Sequence, residues 1–247
     1  MAAVVTDPPL PSEGCGAVAM TGAPHSVTCS ITREELDTLV PPRGLALDRK
    51  KSADLFPIVW RNVRALAKDF SKRGGVWRWL GPIVVRRELR ALEALRDRAP
   101  VPRVLSVVDR YAYVMEQVEG EPCNHLDAAT VGPGFFAAVA DAIDRLHAAG
   151  WVHCDLKSFG NLIRGPGDHI TIVDLATAFP RSGPLGPLRG WWFKRMAEID
   201  RLALAKLKGS LRPELLTDKE RRALDHPPAL VRLARVWRRL YRRARSR

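Results

Sequence analysis

Cysteine is scarce in this chain, long apolar runs are missing, and acidic residues are outnumbered. The four cysteines are Cys15, Cys29, Cys123 and Cys154, and their spacing forms no Cys-x-x-Cys pair and no zinc pattern. That excludes a disulfide scaffold and a zinc module, and sets the expectation of a reduced, cytoplasmic protein. No apolar run approaches the roughly 18 residues that a membrane-spanning helix needs. The opening MAAVVTDPPL has neither a basic n-region nor a long apolar core, so no signal peptide is expected. Asp and Glu number 27 against 40 Lys and Arg, giving a net charge of +13. Residues 1–42 hold Asp7, Glu13, Glu34, Glu35 and Asp37 against Arg33 alone, so the positive charge falls on the rest of the chain. A basic body favours anionic partners: a nucleotide, nucleic acid or anionic lipid.

What is there suits one sizeable domain or two small lobes sharing a cleft, with 46% apolar residues across 247 positions. Residues 1–30 are rich in Pro, Gly, Ala and Ser without a period and read as a flexible tail. TREELDTL then offers a capping box, Thr32 with Glu35, for a short helix ending near Leu39. FPIVWRN and VRALAKDF read as strands around a turn at Arg61-Asn62. GPIVVRRELRALEALRDRAP reads as a helix with Pro82 in its first turn, and Val85, Leu89, Leu92 and Leu95 recur at helical spacing. RVLSVVD and RYAYVMEQVEG are two more strands, broken at Gly120-Glu121-Pro122. GFFAAVADAIDRLHAAG is an amphipathic helix, NLIRG and HITIVDL are short strands, and the remainder from about Trp191 is helical. A strand-rich first lobe with one helix therefore precedes a mostly helical second lobe, an α+β chain.

The chemistry lies in HCDLKSFGN and IVDLATA. Together with LHAAGWV before them, they resemble the catalytic loop and metal-binding segment of the protein-kinase-like superfamily: His153, Asp155, Lys157, Asn161 and Asp174. The resemblance implies a two-lobed kinase-like fold, ATP and Mg2+ as cofactors, and phosphoryl transfer to a hydroxyl. Such transfer rests on positioning and charge neutralisation. By the same resemblance Asp155 would orient the acceptor hydroxyl, and Lys157 would offset charge on the transferred group. Asn161 and Asp174 would hold Mg2+, which prefers oxygen ligands. ALAKDF supplies Lys68 as the phosphate-pairing lysine, with Glu88 as its ion-pair partner and Glu93 as second choice. YVMEQVEG resembles the segment joining the lobes, where the backbones of Glu116 and Val118 would meet the adenine edge.

Three departures accompany the resemblance. Asp155 and Asn161 are six positions apart where the common protein-kinase pattern has five; in this longer spacing the loop resembles bacterial relatives of the lipopolysaccharide-core sugar kinases and RIO-type kinases. DLA replaces Asp-Phe-Gly. No glycine-rich loop precedes Lys68; LDRKKSADLF takes its place, with backbone near Ser52 as the candidate phosphate cover. No Ala-Pro-Glu segment follows Asp174, which argues against ordinary peptide docking and points to a sugar or lipid-linked glycan acceptor at the inner membrane face. The alternatives are an atypical Ser/Thr protein kinase and a pseudokinase acting as a binding module. The expected division is an acidic extension over 1–42, a first lobe over 43–119, a second over 120–229, and a basic amphipathic helix over 230–247. In that last stretch Leu230, Leu233, Ala234, Trp237, Leu240 and Tyr241 share a face, and eight arginines fill the rest. The stripe can pack on the second lobe, or the helix can lie on an anionic membrane; nucleic acid is the least favoured partner.

Overall fold

The computed structural model describes residues 30–40, 53–184 and 186–227, without the side chain of Ser158. Ser52 and the segment 230–247 lie outside the described residues. The first element is helix α1 (Arg33–Leu39), started by the capping box expected of Thr32 and Glu35. Strands β1 (Asp54–Trp60) and β2 (Val63–Asp69) follow as a hairpin. Its two-residue turn holds Arg61 and Asn62 at φ 52° and 61°, the left-handed backbone that matches the twist of paired strands. Helix α2 (Trp77–Leu95) leads to β3 (Val104–Val107) and β4 (Ala112–Glu116). The four strands form an antiparallel sheet in the order β1-β2-β4-β3.

Strand alternation sorts this sheet into two faces. Ala65 and Ala67 of β2 and Ala112 and Val114 of β4 point outward, where Ile31 and Leu36 cover them. Arg33 fastens α1 there by ion pairs to Asp69 at 2.8 Å and Asp109 at 2.5 Å. The helix at the end of the acidic extension is thus part of the core on the sheet's outer face. Tyr113 and Met115 point inward, into the main core with Val85, Leu92 and Leu95 of α2.

Helix α2 begins earlier than the proline rule suggests, and Pro82 sits inside it. Proline removes the amide that would bond the carbonyl four residues back. That carbonyl belongs to Arg78, and the Tyr111 hydroxyl donates to it at 3.2 Å. Gly81 lets the turn close on the sheet, since a Cβ there would lie 3.0 Å from Phe70 Cβ.

Beyond the lobe junction come β5 (Glu121–Pro122), α3 (Pro133–Ala148), β6 (Trp151–Val152), β7 (Leu162–Arg164), β8 (Ile170–Ile172) and β9 (Phe179–Pro180). The long helix α4 (Gly186–Leu211) and the short α5 (Asp218–Asp225) complete the second lobe. Phe135, Phe136, Val139, Ile143 and Leu146 of α3 are buried as their spacing implies. Strands β5, β7 and β8 form one small sheet, and β6 pairs with β9. Gly120 marks the junction: its φ is 138°, and a Cβ would fall 2.3 Å from the Arg164 carbonyl oxygen. Among the described residues no helix is long and apolar enough to cross a membrane.

Candidate active site

The cleft between the sheet and the second lobe gathers most of the residues singled out in the sequence. Lys68 points to the inner face of β2 because its neighbours Ala67 and Asp69 point outward. On α2, Glu88 falls in the buried line of Gly81, Val85, Leu92 and Leu95. The two meet: Lys68 Nζ donates to Glu88 Oε1 at 2.9 Å and Oε2 at 2.7 Å. The same ammonium donates to Asp174 Oδ1 at 3.0 Å, joining the two lobes. Burial alone would lower the Lys68 pKa, but the charges of Glu88 and then Asp174 outweigh it and hold it above the ordinary lysine value. Burial and the nearby Glu88 charge push the phenol of Tyr113, paired across the sheet from Lys68, well above its usual value. Glu93 lies farther along α2, in a separate surface pocket with Arg96 and Asp97.

The loop after β6 is set by hydrogen bonds on both sides. His153 is fully buried; its Nε2 donates to the Val173 carbonyl at 2.9 Å, and its Nδ1 accepts the Asp155 N–H at 3.2 Å. Both ring nitrogens are engaged with backbone groups, so His153 holds the loop in place. Asn161 Nδ2 donates to the Asp155 carbonyl at 3.0 Å, while Val173 N–H donates to the Asn161 carbonyl at 2.9 Å. These bonds tie the loop that carries Asp155 and Asn161 to the strand end that precedes Asp174. The additional residue between Asp155 and Asn161 is absorbed by a 3-10 turn over Leu156–Ser158 and by Phe159 at φ 55°. In DLA the left-handed residue is Asp174 itself, at φ 60°, a region aspartate tolerates. Ala176 therefore needs no glycine freedom, and Leu175 is buried in the core.

Lys157 Nζ lies 2.8 Å from Asp155 Oδ1, an ion-pair distance without hydrogen-bond geometry; that oxygen is buried and accepts no hydrogen bond. The donor set fits a hard divalent cation. Asn161 spends its amide nitrogen on the loop and keeps Oδ1, and Asp174 adds a carboxylate. At the lobe junction Glu116 N–H is already donated to the Arg103 carbonyl at 2.8 Å. The expectation of its backbone as an adenine contact therefore narrows to its carbonyl oxygen. Val118 is half-buried beside it, and its N–H has no partner among the described residues.

One residue of the site escaped the motif reading. Asp200 of α4 is 1% exposed, in line with buried Phe193, Ala197, Leu204 and Leu207. Its carboxylate accepts the backbone N–H groups of His153 at 2.8 Å and Cys154 at 3.0 Å, and lies 3.1 Å from His147 Nε2. It thus holds Cys154 at φ 69°. The signal was available: a single acid on an otherwise apolar helical line. Burial, reinforced by the Asp200 charge, pushes the Cys154 thiol up to about 12.

A family model described as the RIO domain matches residues 58–186, a span from β1 to the first residue of α4 that takes in Lys68, Glu88, Asp155, Asn161 and Asp174 but not Asp200. Among solved structures, the chain is similar to the Rio2 kinase–ADP/Mg2+–phosphoaspartate complex from Chaetomium thermophilum. The TM-score is 0.54 at 18% identity, over 72% of this chain. The chain spans 58% of the length of that protein. The likeness establishes the two-lobed kinase-like fold.

Proposed function

The chain belongs to the RIO domain family, and from that premise we propose that it is an ATP-dependent phosphotransferase using Mg2+. One observation carries the reading: Lys68 lies within 3.0 Å of both Glu88 and Asp174, which brings a buried cation from the first lobe to the carboxylate of the second. Mg2+, when bound, supplies charge neutralisation at the phosphates. Asn161 and Asp174 would hold it. Lys68 would exchange part of its pairing with Asp174 for phosphate oxygens while Glu88 keeps it oriented. Asp155 would accept the proton of the acceptor hydroxyl as that oxygen attacks the γ-phosphorus and ADP leaves. Lys157, paired with Asp155, would offset charge on the transferred group. Glu116 carbonyl and Val118 N–H would take the purine edge.

Two acceptors have support. A protein side-chain hydroxyl suits the kinase named among the similar structures. A sugar or lipid-linked glycan hydroxyl suits the short connection after Asp174, where residues 175–185 alone precede α4 and leave little room for a peptide-docking segment. The test is transfer from γ-labelled ATP, with Mg2+, to a panel of basic and acidic proteins and to purified core glycolipids. Label should appear on one class and vanish in Asp155→Asn. ATP binding with no label on either class would contradict the reading and favour a binding module.

A further inference from the structure

Two exposed apolar patches, one on each lobe, border the same short segment. On α2, Val76, Trp79, Leu80 and Ile83 are exposed, Trp79 by 77%. Helical spacing sets Trp79 and Ile83 opposite the buried line of Gly81, Val85 and Leu92, and their face continues with Arg86 and Arg90. On α4, Leu188, Trp191 and Trp192 are exposed, Leu188 by 61%, on the face away from buried Phe193 and Ala197. Arg87 of α2 donates to the Ala178 carbonyl at 3.5 Å, and Arg189 of α4 donates to the Pro180 carbonyl at 2.9 Å. Each helix thus reaches the stretch that follows Asp174 with an arginine next to its patch.

Both patches sit in basic surroundings. Residues 70–87 hold five bases and no acid, and residues 175–197 hold four bases and no acid. The acids that the fold brings close are already paired: Asp37 with Lys72, Asp54 with Arg73, and Glu198 with Arg195. Glu93, the first acid on the exposed face of α2, lies about two turns beyond Arg86. Arg78, Arg86, Arg90 and Lys194 are exposed and make no ion pair among the described residues. A tryptophan as exposed as Trp79 stands proud of the surface, where it offers no groove to a peptide. Exposed tryptophan and aliphatic side chains beside unpaired bases fit the boundary of an anionic bilayer, where rings sit at headgroup level and bases meet phosphates.

We infer that the two patches form one membrane-contact surface, fitted to a bilayer that contains anionic lipid. The apolar side chains would enter the headgroup boundary, while Arg78, Arg86, Arg90 and Lys194 stay at the phosphates. With phosphoryl transfer as proposed above, the contact would hold a lipid-linked acceptor beside the stretch following Asp174; this consequence alone rests on that reading.

The test is sedimentation of the full chain with mixed phosphatidylglycerol and phosphatidylcholine vesicles. It is run without nucleotide, so its failure and a failure of phosphoryl transfer are read separately. The wild type should sediment with the mixed vesicles and not with phosphatidylcholine alone. Trp79→Ser with Ile83→Ser, and separately Leu188→Ser with Trp191→Ser, should each weaken binding by about tenfold or more. Both pairs keep every charge, including the eight arginines of 230–247, and should leave the melting temperature unchanged because the side chains are exposed. Ile83→Ser and Leu188→Ser alone, which keep every tryptophan, should each weaken binding roughly threefold. No sedimentation of the wild type, or wild-type affinity in either pair, would overturn the inference. A dimer that Trp79→Ser abolishes, in place of vesicle binding, would assign the surface to a second copy and also overturn it.

Discussion

The Asp200 carboxylate accepts the backbone N–H of His153 at 2.8 Å, so the helix under the second lobe holds the loop that carries Asp155. A second bond to Cys154 N–H fixes a residue in left-handed backbone. In Asp200→Ala the buried amide of His153 and the part-buried amide of Cys154 lose their acceptor, the buried one at a cost of about 1–3 kcal/mol. Stability should fall by about 3 kcal/mol, and phosphoryl transfer by roughly 100-fold as Asp155 drifts from its position. Asp200→Asn keeps one acceptor oxygen and should lie between. Thermal melts beside the transfer assay check this; wild-type transfer in Asp200→Ala would remove the anchoring role.

Lys68→Met should cost both activity and stability, because it strands Glu88, whose side chain is 1% exposed. Breaking a buried pair from one side costs about 3–5 kcal/mol. The double variant Lys68→Met, Glu88→Leu removes both charges and should recover most of that stability, while transfer stays lost in both. Urea melts of the two variants separate the contributions. If the double variant were as unstable as the single, the pair would not be the cause.

Gly120→Ala should be severe for so small a change. Its φ of 138° is strained for alanine, and the new methyl would lie 2.3 Å from the Arg164 carbonyl. Strain and overpacking together should cost about 3 kcal/mol or more, read as a fall in melting temperature. A change within the error of wild type would mean that the lobe junction yields.

Cys154 should resist alkylation in the native protein although it is not fully buried. With its thiol pushed up to about 12, the thiolate fraction at pH 8 is ~10⁻⁴, against roughly a quarter for an ordinary thiol. The reactive form grows as pH rises, so labelling should gain about tenfold per pH unit through pH 10. Iodoacetamide labelling followed by peptide mapping checks it. Labelling at pH 8 as fast in the native as in the urea-unfolded protein would contradict the assignment.

Much of the cleft was legible because it follows simple periods. Alternation along VRALAKD puts Lys68 on the face opposite Ala67, and the line through Val85, Glu88, Leu92 and Leu95 puts an acid on the buried side of α2. The turn at Arg61-Asn62 and the capping box at Thr32 are local chemistry and read directly. What could not be read depends on distant partners. The start of α2 at Trp77 rests on Tyr111 completing the Arg78 carbonyl and on Gly81 fitting Phe70. The docking of α1 rests on Asp69 and Asp109, far along the chain from Arg33. Asp200 stands out as the one acid on the apolar line of α4, but the loop amides it serves lie more than forty residues away and give it its role only once the fold is in place.

Asn161 and Asp174 are the residues proposed to hold Mg2+ when ATP is bound. The most direct measurement is the melting temperature of the full chain with ATP, with and without Mg2+, compared with that of Asp174→Asn. A ligand that binds only the folded state at about 100 times its Kd stabilises by about 2.7 kcal/mol. The account predicts that Mg2+ and ATP together raise the melting temperature of the wild type. That Mg2+-dependent rise should disappear in Asp174→Asn and persist in Asp155→Asn, which binds without transferring. An equal Mg2+-dependent rise in wild type and Asp174→Asn would contradict the account.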